Sequence, residues 1–171
     1  MRKKSNLFTF ISIVIIVVIM SLRMSEPVRK FLGEEENQVV TEVRDGNFQK
    51  VFVTDVVDGD TIWVEIEGER TKIRLIGVNT PEKGEPLYKE ATNYTTEALL
   101  NQWIYLEKDI SDTDQYGRLL RYIWMEIPKE DTDSERMAKL FNSKLLEANL
   151  AEVVVFKPDV KYLEFFRQIE E

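Results

Sequence analysis

Three oxygen- and nitrogen-rich phrases stand out in the chain: Asp58-Gly59-Asp60-Thr61, then Ile73-Arg74-Leu75-Ile76-Gly77-Val78-Asn79-Thr80-Pro81-Glu82, and downstream Asp114-Gln115-Tyr116-Gly117-Arg118. The chemistry they suit is attack of water on a phosphodiester. Such a diester repels hydroxide, so its cleavage needs a cation, a positioned water and donors for the charge that develops in the transition state. Asp60, Asn79, Glu82 and the Thr80 carbonyl supply oxygen ligands or water contacts of the kind hard Ca²⁺ prefers. Glu82, just past Pro81, is the candidate general base or water-orienting group. Arg74 and Arg118 present paired donors in the geometry of phosphate oxygens.

Each piece alone has a plainer reading. Asp58-Gly59 serves tight hairpin turns, and Thr80-Pro81 is a turn as well. Arg74, alternating with Ile73 and Leu75, is an outward strand residue, and Arg118 a solvated loop charge. Only the combination, in order along the chain, points to a site.

Composition narrows the chemistry. The 171 residues include no cysteine and no histidine, so disulfides, thiolate metal sites, cysteine nucleophiles and every imidazole-based hydrolase are excluded. Acid-base work falls to carboxylate, lysine or tyrosine. The net charge of -8 argues against a protein that coats nucleic acid through bulk electrostatics. A small cationic patch facing one reacting phosphate remains compatible with it.

The elements that must position these residues begin after residue 47. Arg2, Lys3 and Lys4 precede an apolar run from Leu7 to Leu22, closed by Arg23, and residues 1–24 read as a signal anchor or uncleaved signal peptide. Cleavage and secretion form the alternative. Residues 25–47, with Glu34-Glu35-Glu36-Asn37, read as a polar, acidic linker that holds an extracytoplasmic domain clear of the membrane.

Residues 48–171 read as one mainly β, α+β domain. Phe52 to Val57 and Ile62 to Glu67 are joined by the DG turn, and Lys72 to Val78 is a third strand stopped by Pro81. Leu87, Ala91, Tyr94 and Ala98 mark a helix by their spacing. Trp103 to Glu107 and Leu119 to Ile127 make five strands. Met137, Leu140, Phe141, Leu145 and Ala148 mark a second helix, and Tyr162, Phe165, Phe166 and Ile169 a third. Five short strands with a helix between the third and fourth suit a closed barrel of the OB type.

Residues 50 to 171 resemble the staphylococcal nuclease (thermonuclease) family: DGDT, IRLIGVNTPE and DQYGR match its signature blocks in order and spacing, and Leu140-Phe141-Asn142, Leu150-Ala151 and Phe156-Lys157-Pro158 resemble its later segments. The resemblance implies an OB barrel that needs Ca²⁺ and cleaves DNA and RNA, and the chain is expected to act as a monomer. It implies that Asp60, Asn79, Thr80 and Glu82 surround calcium, that Glu82 activates water, and that Arg74 and Arg118 hold the phosphate. Arg118 would sit near the leaving 5′ oxygen and Tyr116 would line the nucleotide pocket.

Three departures bear on that transfer. Asn79 stands where the family more often has aspartate, which removes a charge and predicts weaker calcium binding. Val154 and Phe156 replace pocket tyrosines. The chain stops at Glu171, where the family's last helix continues to a tryptophan, which puts the hold on the third helix in question. The competing reading is a silent OB-fold module, tethered to the membrane, that binds nucleic acid or protein.

Overall fold

The computed structural model describes residues 44–45 and 47–170. The expected membrane segment and most of the expected linker lie outside the described residues, and among those described no helix is long and apolar enough to cross a membrane. The chain divides after Thr41 into two units, and everything described belongs to the second.

In chain order the elements are β1 (Arg44–Asp45), β2 (Phe48–Val56), β3 (Thr61–Ile66), β4 (Glu69–Leu75), β5 (Val78–Asn79), α1 (Tyr88–Leu99), β6 (Trp103–Glu107), β7 (Leu119–Trp124), α2 (Asp133–Lys139), α3 (Phe141–Glu147), β8 (Glu152–Val153) and α4 (Leu163–Glu170). β2, β3 and β4 form the antiparallel meander expected from three consecutive β-rich runs separated by turn residues. β4 then runs parallel to β7, β7 is antiparallel to β6, and β6 returns to β2. The five strands therefore close into a barrel, the OB-type architecture expected from the sequence, and closure leaves no open edge among them. β1 extends β2 from within the stretch read as linker.

Alternation of side chains sends Val51, Val53, Ile62, Val64, Ile73, Leu75, Ile104 and Leu106 into the barrel, each fully buried. At about 1.5–3 kcal/mol for each large aliphatic side chain, this interior outweighs any surface ion pair. α1 covers the barrel with Ala91, Thr95 and Leu99, while Tyr94 and Ala98 sit at the margin. Leu87 is 48% exposed and lies before the helix. The expected stripe is thus rotated, because the Thr95 hydroxyl donates to the Gly59 carbonyl at 2.7 Å and turns that face inward.

Two other expectations change. The third strand stops at Leu75 rather than Val78, since Gly77 takes a left-handed φ of 80° and a Cβ there would meet the Phe166 ring at 2.6 Å. Only glycine serves a turn with that conformation and that neighbour. The expected second helix is two helices, α2 and α3, for four in all among the described residues. Leu140 breaks it in an extended conformation and bridges to Trp124, the last residue of β7, with Met125 N–H donating to the Lys139 carbonyl at 2.9 Å. That bridge also ends β7 three residues short of Ile127.

Past the break, buried Asn142 accepts from Ile123 N–H at 3.0 Å and donates to the Ile76 carbonyl at 2.8 Å. It ties α3 to β7 and to the Gly77 turn. α4 and the residue before it bury Tyr162, Phe165 and Phe166. Its anchor is Glu107, 1% exposed, whose carboxylate accepts from Trp124 Nε1 at 2.8 Å and from the Tyr162 hydroxyl at 2.9 Å, and pairs with Lys161.

Candidate active site

The site grows from the loop between β2 and β3. Val57 N–H donates to the Thr61 carbonyl at 2.9 Å and closes the turn, so the plain hairpin reading of Asp58-Gly59 holds. The same turn also positions Asp60. A Cβ on Gly59 would fall 2.6 Å from Thr80 Cγ2, and that absence lets Asp60 reach across to accept from Thr80 N–H at 2.9 Å and from the Thr80 hydroxyl at 3.1 Å. Asp60 is 5% exposed, and its other oxygen accepts from the Thr61 hydroxyl at 3.0 Å and pairs with Arg74 Nε at 3.1 Å.

Arg74 stands opposite Thr61 in the β3–β4 ladder. One terminal nitrogen donates to the Leu75 carbonyl and to the Val78 carbonyl at 2.7 Å, and the other to Asn79 Oδ1 at 3.0 Å. With Nε on Asp60, four of the five guanidinium N–H groups are engaged. Arg74 therefore keeps one donor free, not the paired fork its residue type suggests. Burial, with the Arg118 charge adding to it, draws its pKa below the usual arginine value against the pull of Asp60. Its guanidinium also lies over the Phe156 ring, 5.2 Å from the centroid.

Arg118 comes from the β6–β7 loop, where Gly117 takes a φ of 77°. Asp114 shapes this loop by accepting from the backbone N–H of Tyr116 and of Arg118, both at 2.9 Å, and it grips Arg118 Nε at 2.6 Å. Burial pushes the Asp114 carboxyl up, but those hydrogen bonds prevail and hold it below the usual aspartate range. Arg118 then reaches the Thr61 hydroxyl at 3.4 Å. Thr61 thus joins the two halves of the site, donating to Asp60 and accepting from Arg118. The second arginine keeps more free donors than Arg74, and so has the fuller set to offer an anion.

The loop holding Arg118 is fastened at both ends. Asp159, 3% exposed, accepts from Ile110 N–H at 2.9 Å and Ser111 N–H at 2.7 Å, and Arg121 pairs with Asp112 at 2.7 Å. Glu82 and Tyr116, both exposed, line with Arg118 a cleft of about 660 Å³ that continues to Trp63, Arg70 and Lys72.

Residues 72–171, more than half of the chain, match the family model described as staphylococcal nuclease homologue. The chain belongs to the staphylococcal nuclease family. It is similar to the thermonuclease of Staphylococcus hyicus, 36% identical over 130 residues that cover 72% of this chain and 70% of that one. With the thermonuclease of Staphylococcus intermedius it shares 35% over 136 residues, 76% and 73% of the two chains. Endonuclease YncB of Bacillus subtilis (strain 168) is 33% identical over 123 residues, 67% of this chain and 53% of that one.

Within this family fold Asp60, Arg74, Asn79 and Thr80 come together through direct contacts, Arg118 joins them through Thr61, and Glu82 with Tyr116 borders the cleft beside Arg118. Three supporting residues escaped the sequence reading. Thr61 was legible only as part of DGDT, and Asp114 only as the first letter of DQYGR, an Asx turn waiting for its arginine. The third, Asp58, has its carboxyl raised above the usual aspartate value by burial and by the Asp60 charge. Asp58 also accepts from the Asp60 N–H at 3.2 Å, which helps to shape the turn.

Among the described residues no three acidic side chains converge into a metal cage. The candidate donors, Asp60, the Thr80 carbonyl, Asn79 and Glu82, are all hard oxygens, the chemical type a hard divalent cation takes, and the Asp60 and Asn79 oxygens already bond to protein groups.

Proposed function

We propose that this chain is a Ca²⁺-dependent nuclease that hydrolyses phosphodiester bonds of DNA and RNA. The observation that carries the reading is the linkage Asp60–Thr61–Arg118, which sets a carboxylate and a phosphate-binding guanidinium on either side of one hydroxyl, with Glu82 on the adjoining cleft wall. The family membership and the names of the relatives, thermonuclease and endonuclease, support the same reaction.

Asp60, Asn79, the Thr80 carbonyl and Glu82 would hold the cation, which when bound supplies charge to a phosphate oxygen and acidity to a water. Arg118 binds the phosphate with its free terminal donors and takes up charge as the phosphorane forms. Arg74, braced by two backbone carbonyls, adds one donor in fixed position. Glu82 orients the attacking water and accepts its proton, opposite the departing 5′ oxygen. Tyr116, 75% exposed, borders the nucleotide.

The test is hydrolysis of single-stranded DNA and of RNA by residues 42–171 with Ca²⁺ titrated from zero to about 10 mM, since reduced ligand charge shifts affinity toward the weak end of the calcium range. EDTA and Glu82→Gln are the controls. Cleavage abolished by both establishes the enzyme. Cleavage that survives EDTA sinks the metal requirement, and no cleavage by a folded domain that still binds oligonucleotide establishes the second reading, a binding module. One observation favours that alternative: both Asp60 oxygens already have protein partners.

The apolar run from Leu7 to Leu22 behind Arg2, Lys3 and Lys4 supports a cell-membrane tether with the domain on the extracytoplasmic side, acting as a monomer. Protease accessibility on intact cells tests the placement, and recovery of the protein from the medium would point to cleavage instead.

A further inference from the structure

The cleft does not end at the reacting groups. Along β4, Arg74, Lys72 and Arg70 occupy alternate positions, so they share one face of the strand, and Trp63 lies directly across the ladder from Lys72. The Lys72 ammonium sits 4.7 Å from the Trp63 ring centroid and the Arg70 guanidinium 4.4 Å from it. Among the described residues no carboxylate pairs with Lys72. Arg70 pairs with Asp55 at 2.9 Å, and Glu65 is its partner across the ladder. Both members of the Arg70–Asp55 pair are more than half exposed, so the pair is weak and a phosphate can compete for the guanidinium.

We propose that Trp63, Lys72 and Arg70 form an outlying subsite on which a single-stranded polynucleotide continues past the phosphate held at Arg118 and Arg74. This rests on the nuclease reading above and extends it to substrate length. Lys72 and Arg70 take successive backbone phosphates, and the indole takes the base between them as the phosphates draw the cations off its face.

The chemistry selects single strands over duplex. A duplex grip needs a broad basic face, and this chain carries a net charge of -8. One row of cations beside an aromatic ring follows one backbone. From the Arg74 to the Arg70 position the strand rises about 13 Å. That accommodates about four nucleotides at a stacked rise of about 3.4 Å, and fewer when the strand is extended.

The experiment compares cleavage of a dinucleotide with that of a single-stranded decanucleotide, and measures metal-free binding of the decanucleotide by tryptophan fluorescence. Wild-type protein is expected to cleave the longer substrate with at least about tenfold higher kcat/KM, most of it in KM, and Lys72→Ala and Trp63→Ala are expected to erase that advantage. Lys72→Ala with Arg70→Ala is expected to flatten the salt dependence of binding by about 1.4, or about 0.7 for each phosphate that is no longer neutralised. Fluorescence quenching should vanish in Trp63→Phe, which folds with an aromatic ring in place.

Equal kcat/KM on the two substrates overturns the subsite, as does a loss in Lys72→Ala that is the same for both. If wild-type protein cleaves neither substrate, the nuclease reading fails. The subsite then stands if binding weakens in Lys72→Ala and falls if binding is unchanged.

Discussion

Asn79 offers its side-chain oxygen to Arg74 as a neutral acceptor, so the site holds one negative charge fewer than an aspartate there would give. Asn79→Asp is expected to lower the calcium concentration for half-maximal thermal stabilisation by about tenfold, because affinity follows the charge count of the ligands. A calcium titration of the melting temperature reads this without requiring turnover, and an unchanged midpoint would refute it. Gly59 is the other sensitive residue. Gly59→Ala places a methyl 2.6 Å from Thr80, and overpacking of that kind costs about 1–3 kcal/mol. Because Thr80 must move away from Asp60, nuclease activity should fall at least about tenfold even at temperatures where the variant remains folded. A variant as active as the wild type would show that the Asp60–Thr80 contact is dispensable.

The β6–β7 loop is an element held together by carboxylates. Asp114→Asn keeps the acceptor for the two backbone N–H groups and loses the charge on Arg118, so kcat should drop about 10- to 100-fold with the fold intact. Stability adds a second readout. The Asp114 carboxyl is held below its ordinary value in the folded chain, so its contribution is complete above the unfolded pKa near 3.8 and is lost as pH falls through the lower folded value. The gap in melting temperature between wild type and Asp114→Asn should therefore close as pH drops from about 5 to about 3, and a gap that persists would assign the loss to geometry instead. At the α2–α3 break, Asn142→Ala leaves the buried Ile123 N–H and Ile76 carbonyl unpaired. Chemical denaturation should show a loss of about 2–4 kcal/mol.

On the scale of the whole molecule, the five barrel strands were legible as short β-rich runs between turn residues, with period-two alternation in Ile62 to Glu67, and the blocks DGDT, IRLIGVNTPE and DQYGR were legible because their spacing survives in one chain. What escaped was set by contacts distant in sequence. Leu140 belongs to a helical pattern by spacing, yet its bridge to Trp124 overrides that pattern. Gly77 reads as an ordinary strand residue until Phe166 arrives from α4. Arg74 reads as a two-donor clamp until the carbonyls of Leu75 and Val78 claim its hydrogens. The buried Glu107 has no local signature, although it fastens β6, β7 and α4 at once. The hold on α4 comes from Tyr162, Phe165 and Phe166 within the described residues.

The parallel pairing of β4 with β7 has a consequence for the cell that makes this chain. Arg74 lies beside Leu120 in that pairing, and Arg118 enters the site only from the strand's threshold. A nascent chain can emerge from the ribosome as far as the end of α1, carrying Asp60, Arg74 and Glu82, and still lack the guanidinium that completes the site. On the proposed reading the site is complete only when β7 has paired with β4 and brought Arg118 to Thr61. If the chain is the nuclease proposed above, a polypeptide held unfolded before that pairing lacks Arg118 beside Thr61 and stays inert toward any nucleic acid near it.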